Sequence, residues 1–326
     1  MKYTMTQNTK YQQGFTLIEL MISLVLGLLI SAAIIQVFIT SQRVDRVQNA
    51  GSEIQDSAVF GIQSIEQQLR LTNLGNDGVP LNDKTALGGV VLTASATNAD
   101  AVNVVTSTQL EKGYLTRSHD MDSAGGIHKW DGSLSNTGEE SDQLTIQYTN
   151  TTGQILYDCE GEKIELNERV ITRYFLTEDN VKTNKDRKNI NLNCDAGRIA
   201  SNGVLTNFME AGQTIIKNVD QFNIRLGVKH SADNSGSIGS YRYTEMSVKD
   251  YMSLTTEKPY ITNIKVALLT RSTSNSPDDS ASAFSILGTT QTLKSETNAP
   301  KYLRRVYETN TLLRNARIVN VINSVS

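Results

Sequence analysis

Glu19 is the one ionisable side chain in an otherwise apolar stretch from Phe15 to Thr40. A carboxylate inside a membrane span costs about 2.5–3.5 kcal/mol on insertion scales, so a residue of this kind indicates a function by default. Cleavage of the peptide bond between Gly14 and Phe15 would place a free amine one helical turn before Glu19. We therefore predict that Glu19 pairs with an N-terminal ammonium, in its own chain or in a neighbouring chain. The alternative is that Glu19 lies at the lipid surface and stays hydrated.

The apolar stretch that contains Glu19 is long enough to span a membrane. At about 1.5 Å per residue, about 25 helical residues extend for about 38 Å, which crosses a bilayer core of about 30 Å with some tilt. The leader before it carries Lys2 and Lys10 and no acid. This positive charge indicates that the leader stays in the cytoplasm and that the rest of the chain is exported.

After Thr40 the same helix is predicted to continue as an amphipathic segment. Apolar residues step by three, four or seven positions along one face as far as Leu71. One helix is therefore expected over about residues 15–71, with Gly51 and Gly61 as points where it could bend. A coiled coil is the alternative for the second half.

The residues around Glu19 resemble a known export signal. The motif G-F-T-L-I-E-L at residues 14–20, followed by the apolar run, is similar to the class III signal of type IV pilins and of type II secretion pseudopilins. This resemblance implies that a prepilin peptidase cleaves after Gly14, that Phe15 is N-methylated, and that Glu19 meets the N-terminus of an adjacent subunit in a filament. The sequence departs from many family members at Gln13, where a basic residue is common nearby, and in having no proline in the second half of the helix.

A conventional secretory signal is the competing interpretation of this stretch. The small residues Ser31, Ala32 and Ala33 would then form the cleavage site. The apolar run continues past them to Ile39, which argues against cleavage there.

The remainder of the chain has the pattern of a β-rich domain. Runs at residues 142–149, 170–176, 221–228 and 261–270 are apolar or alternate between apolar and polar residues, and polar stretches, including residues 178–193 and 229–240, separate them as loops. The predicted fold class is α+β, with a long N-terminal transmembrane and amphipathic helix packed on a mainly antiparallel β-sheet domain. The predicted segments are a leader at 1–14, a transmembrane or filament-core helix at 15–40, its amphipathic continuation at 41–71, and a periplasmic β-rich domain at 72–326.

Several short motifs in the β-rich part resemble the PilW group of minor pilins. They are D-Q-L-T-I-Q-Y at residues 142–148, D-C-E-G at 158–161, R-Y-F at 173–175, C-D at 194–195, V-D-Q-F at 219–222, and the stretches 266–271 and 312–315. This resemblance implies a low-abundance subunit that helps to prime pilus assembly and lies near the filament tip. The implied partners are the prepilin peptidase/N-methyltransferase, other minor pilins, the major pilin, the inner membrane and a tip adhesin.

Two alternatives remain for the function. A type II secretion pseudopilin would share the N-terminal motif and the membrane mechanics. An adhesion or DNA-uptake module at the tip would use the polar loops as a binding surface. A net charge of −3 and a pI near 5.7 give no basic field for nucleic acid, and the arginines near the C-terminus, such as Arg304, are expected on solvated strand faces.

Cys159 and Cys194 are predicted to form a disulfide, because both lie in the exported part and the count is even. No metal site or cofactor is expected. His119, His128 and His230 are interpreted as solvated loop residues, although His119-Asp120-Met121-Asp122 resembles a metal pair locally. The sequence contains no nucleophile elbow, P-loop, HExxH or GxGxxG motif, so we predict a protein that is not an enzyme.

Overall fold

A computed structural model describes residues 14–96, 101–107, 110, 112–119, 121, 134–179, 187–231, 241–276, 281–297 and 300–316. The helices are α1 (Leu17–Leu71) and α2 (Val248–Ser253), with two short 3-10 turns at Lys112–Tyr114 and Arg314–Ala316. The strands are β1 (Ala94–Ser95), β2 (Val104–Val105), β3 (Leu144–Thr149), β4 (Leu156–Tyr157), β5 (Lys163–Ile164), β6 (Arg169–Glu178), β7 (Ile190–Ile199), β8 (Leu205–Thr206), β9 (Gln213–Ile216), β10 (Val219–Ser231), β11 (Tyr241–Met246), β12 (Tyr260–Asn275), β13 (Ala283–Ile286), β14 (Thr289–Thr292) and β15 (Tyr302–Leu312).

Two antiparallel sheets carry most of the strands. One has the order β11-β10-β12-β15, and the other has the order β3-β6-β7-β8, with β9 also paired to β7. Small two-stranded sheets join β4 to β5 and β13 to β14, and β1 pairs with β2 in parallel. These observations confirm the predicted α+β class with mainly antiparallel pairing.

The helix α1 forms as one continuous element, as the sequence predicted. The chain divides into two compact units between Asn49 and Ala50, so α1 contributes to both. In the second unit, one stripe of the helix is buried, and it comprises Ala50, Ile54, Ala58, Gly61, Ile65, Gln68 and Leu69. Ile65 and Leu69 belong to the main hydrophobic core, which draws its other members from both sheets.

Gly61 marks a close approach between α1 and β9. A Cβ atom at this position would lie 2.1 Å from Cγ1 and 2.5 Å from Cδ1 of Ile216. At Gly51, the nearest atom to such a Cβ would be Cδ2 of Leu303, at an ordinary 3.8 Å. Neither glycine interrupts α1, and Gly61 has instead a packing role that the expectation of a bend did not include.

The predicted loop over residues 178–193 is wrong at its C-terminal end, where β7 begins at Ile190. This strand lies in the centre of its sheet, between β6 and the pair β8 and β9. Ile190, Leu192, Cys194 and Ala196 alternate along the strand and are buried. The polar residues Asn191 and Asn193 between them led the sequence analysis to assign the start of this strand to a loop. The strand β11 was also missed, because no strand was predicted after the loop at 229–240. That loop prediction is wrong at its start, since β10 continues to Ser231.

Candidate functional site

Glu19 lies in the first turn of α1, where it forms a reciprocal capping interaction with Thr16. The Thr16 backbone N–H and hydroxyl approach Oε2 of Glu19 at 3.4 and 3.3 Å, and the Glu19 N–H donates to the Thr16 hydroxyl at 3.4 Å. This is the capping-box arrangement, in which two otherwise unpaired N–H groups at a helix start gain partners. The carboxylate also lies at the positive end of the helix dipole.

Thr16 is a functional residue that the sequence interpretation missed. Its signal was present, because Thr-x-x-Glu immediately before an apolar run is the sequence pattern of a capping box. Glu19 therefore has an intramolecular role beside the predicted pairing with an amine. Both groups are exposed, so the carboxylate is accessible to a second partner.

The helix around Glu19 exposes its apolar side chains on all faces. Its large apolar residues from Phe15 to Ile39 are exposed by between 47% and 83%. The apolar part of α1 is long enough to cross a membrane, with a mean hydropathy of 2.6 and no burial in its most apolar window. A surface of this kind requires lipid or other protein to cover it.

The two cysteines form the predicted disulfide. Cys159 lies between β4 and β5, and Cys194 lies in β7 within the main core, with their Cα atoms 6.3 Å apart. This distance is within the usual range for a disulfide. The bond ties the small β4–β5 hairpin to the central strand of its sheet.

The described histidines differ from the expectation of solvated loop residues. His119 is mostly buried, and its Nδ1 lies 2.7 Å from Oδ1 of the fully buried Asp142. His230 lies in β10, where its Nε2 is 2.9 Å from the Thr244 hydroxyl. His128 and Asp120 lie outside the described residues. Among the residues that the structure describes, no group of three or more His, Cys, Asp or Glu side chains is arranged to hold a metal ion.

The expectation of solvated arginines is wrong for Arg304. Its Nε lies 2.6 Å from Oδ2 of Asp220, and Nε of Arg271 lies 3.3 Å from the other carboxylate oxygen. All three side chains are buried, and Asp220 has no exposed surface. The aspartate stabilises two neighbouring buried cations and so joins β10, β12 and β15 in one sheet.

Comparisons with known proteins agree with both parts of the sequence resemblance. The family described as Type IV Pilus-assembly protein W matches residues 172–315, and the prokaryotic N-terminal methylation motif matches residues 9–35. The two matches confirm the recognition made from the sequence. No curated protein matches the chain.

Among solved structures, a type IV-like pilin from Thermus thermophilus is similar to this chain. The two are 14% identical over 57% of this chain and 84% of that chain, with a TM-score of 0.27. At this score the likeness carries no argument about the present fold.

Proposed function

We propose, on the premise that this chain is a pilus-assembly protein of the PilW type, that it is a minor pilin that helps to prime type IV pilus assembly and is incorporated near the pilus tip. The observation that carries the proposal is the position of Glu19, a lone carboxylate one helical turn after Phe15 at the start of a fully exposed apolar helix. The match of the methylation motif to residues 9–35 supports processing at Gly14 and Phe15. The family description favours a pilus over a type II secretion system.

The first stage of the mechanism is residence in the inner membrane. The apolar half of α1 crosses the bilayer once, and the part of the chain after it lies in the periplasm. The prepilin peptidase cleaves after Gly14 and methylates the new amine of Phe15. Cleavage creates a positive charge at the helix end, where the positive pole of the helix dipole makes an unpaired cation unfavourable.

The second stage is transfer of the helix from lipid into the filament. Glu19 of one subunit neutralises the Phe15 amine of its neighbour, and because the partners must come into contact, the pairing selects the axial register between subunits. Loss of lipid contact is offset by helix–helix packing of the exposed apolar side chains. The β-rich domain selects the neighbouring subunits, which are other minor pilins, the major pilin and a tip adhesin.

Variants of Thr16 and Glu19 separate the charge of Glu19 from its capping role. Glu19→Gln keeps a side chain that can cap the helix but removes the charge, and Thr16→Ala removes the capping hydroxyl but keeps the charge. We expect all variants, including Glu19→Ala, to insert into the inner membrane. Both Glu19 variants should be depleted from sheared pili, and Thr16→Ala should be incorporated almost as well as the unaltered chain.

Immunoblots of membrane and pilus fractions measure this outcome, and mass spectrometry of the product identifies its N-terminus. Incorporation of Glu19→Gln at the level of the unaltered chain would show that pairing of charges is not required. A product that starts at Met1 or after Ala33 would contradict processing as a prepilin. Loss of protein secretion with normal piliation in a deletion strain would indicate a pseudopilin instead.

A further inference from the structure

A cleft of about 540 Å³ opens beside the β3–β6 pair. One wall comes from the segments around Leu87 and Val105, and the other comes from Ile199 at the end of β7 and the turn that follows it. The Ser107 N–H donates to the Gly203 carbonyl oxygen at 2.7 Å and so joins the two walls. The volume lies within the range of about 300–1,000 Å³ that small-ligand sites occupy.

Arg169 lines this cleft at the start of β6, and a hydrogen bond to a buried side chain positions its guanidinium. It donates one hydrogen bond to Oε1 of Gln147 on the neighbouring strand β3. Gln147 is itself buried and fixed, because its Nε2 donates to the carbonyl oxygens of Gly88 at 2.7 Å and Asn103 at 2.8 Å. A guanidinium has five N–H donors in a planar fork, and Gln147 accepts from one of them, so Arg169 retains donors for a ligand in the cleft that it lines.

Arg169 differs from several other buried or half-buried arginines, because no carboxylate pairs with it in the part of the chain that the structure describes. Arg173, Arg198 and Arg271 each lie within 3.3 Å of an aspartate carboxylate. Burial lowers the pKa of Arg169 to about 10, and no acid offsets this effect.

Arg117 is the instructive comparison, because it also lacks a carboxylate. Its guanidinium is almost fully enclosed and donates to the carbonyl oxygens of Leu92 and Thr116, both at 2.9 Å. Arg117 therefore supports the fold from inside and is closed to ligands. Arg169 has the same lack of counter-charge but faces an open cleft.

We propose that this cleft binds a ligand that carries one carboxylate on an apolar group, with Arg169 as its anion-binding residue. A single uncompensated guanidinium matches a single negative charge, and its fork matches the two oxygens of a carboxylate. A phosphate dianion would keep excess negative charge in a cleft that supplies one cation. The lining is mixed: Leu87, Val105 and Ile199 offer apolar contacts for the body of such a ligand, beside polar residues such as Asn103 and Asn167. This inference is independent of whether the chain enters a pilus.

The test uses the full chain in detergent micelles and 4-fluorobenzoate as the probe, observed by ¹⁹F NMR line broadening. Isosteric 4-fluorobenzamide is the neutral control for partition into the micelle. We expect broadening of the benzoate signal well beyond that of the benzamide, and a decrease in benzoate affinity of roughly tenfold or more in Arg169→Gln. Arg242→Gln, which removes an exposed arginine from β11, is the matched control and should bind as the unaltered chain does.

Arg169→Lys keeps the test decisive if Arg169→Gln fails to fold. It retains the charge without the fork, so it should still prefer benzoate to benzamide, with weaker affinity. Equal broadening by the two probes in the unaltered chain, unchanged affinity in folded Arg169→Gln, or loss of the preference in folded Arg169→Lys would each overturn the proposal.

Competition identifies the source of the carboxylate once binding is seen. N-acetyl-leucyl-alanine offers a peptide C-terminus, N-acetyl-leucyl-glutamate α-amide offers an acidic side chain, and propionate represents small free acids. Displacement of the probe by any of the three, and not by an equal concentration of inorganic phosphate, supports the site. Displacement by phosphate alone would contradict it.

Discussion

Gly61 provides the sharpest test of how α1 packs on the β-rich unit. A methyl group added at Gly61 would overlap Cγ1 of Ile216, at 2.1 Å, and Ile216 is fully buried in β9. The side chain of Ile216 cannot make room for the added methyl group without disturbing the packed core. Overpacking of this kind costs about 1–3 kcal/mol. Alanine in a helix interior recovers about 0.5–1 kcal/mol relative to glycine. The clash is the larger effect, so Gly61→Ala should destabilise the protein by up to about 2 kcal/mol.

Gly51→Ala is the matched control in the same helix. Its added methyl group would meet only Cδ2 of Leu303, at 3.8 Å, so the helix-propensity gain remains and the variant should be more stable by about 0.5–1 kcal/mol. Urea unfolding of the full chain in detergent micelles, followed by near-ultraviolet circular dichroism, measures both changes. Shifts of the same sign and size in the two variants would refute the close approach.

A double variant tests whether Ile216 is the cause of the Gly61 effect. Ile216→Ala alone leaves a cavity and should cost about 2–5 kcal/mol. Combined with Gly61→Ala, the new methyl group enters part of that space, so the double variant should lose less stability than the sum of the single variants. Additive losses would assign the Gly61 effect to another contact.

Three further predictions concern the β-rich unit. In oxidising buffer, Cys159→Ser should have a free energy of unfolding about 3–4 kcal/mol lower than that of the unaltered chain. In reductant, where the unaltered chain also lacks the disulfide, the two free energies should be equal. Asp220→Asn removes the carboxylate from two buried arginines and should cost about 3–5 kcal/mol, whereas Glu245→Gln, which breaks the exposed pair with Lys265, should cost at most about 1 kcal/mol in the same unfolding assay. Burial raises the pKa of the Asp195 carboxyl in the folded protein above its value in the unfolded chain. The free energy of unfolding should therefore decline as the pH rises from the unfolded-state pKa through the folded-state pKa. Asp195→Asn should flatten this decline in thermal unfolding measured over a pH series.

The elements predicted correctly are those in which the spacing of apolar residues matches the face that the element buries. The strand β10 alternates Phe222, Ile224, Leu226 and Val228 in the core, and the sequence interpretation located it within a few residues. The helix α1 was located within two residues at its start and matched at its end, because its stripe continues without a proline. In both elements, the positions that the periodic pattern marks as apolar are the positions that the fold buries.

The start of β7 was assigned to a loop because its polar residues Asn191 and Asn193 outweighed the apolar residues that alternate with them. Asp195 accepts from the N–H groups of Met209 and Glu210 at 3.0 and 3.2 Å, and Arg173 lies 3.3 Å from it on the adjacent strand. Asn193 hydrogen-bonds Thr214 in β9. These partners lie on other segments of the chain, so the local sequence does not show that the polar residues of β7 are buried. Among the described residues, Oδ1 of Asp195 has no hydrogen-bond partner.

Glu19 could be proposed as a functional residue from the sequence, whereas the surroundings of His119, Arg304 and Arg169 could not be predicted. The partners of these three side chains, which are Asp142, Asp220 and Gln147, lie far from them in the sequence, so local patterns do not reveal them. In the helix from Phe15 to Ile39, every large apolar side chain is at least 47% exposed. A surface of this kind is covered by lipid or by other protein, and either environment requires a continuous apolar sequence. An acid within such a sequence stands out because it is the one ionisable side chain between Phe15 and Thr40, and for that reason Glu19 could be identified from the sequence alone.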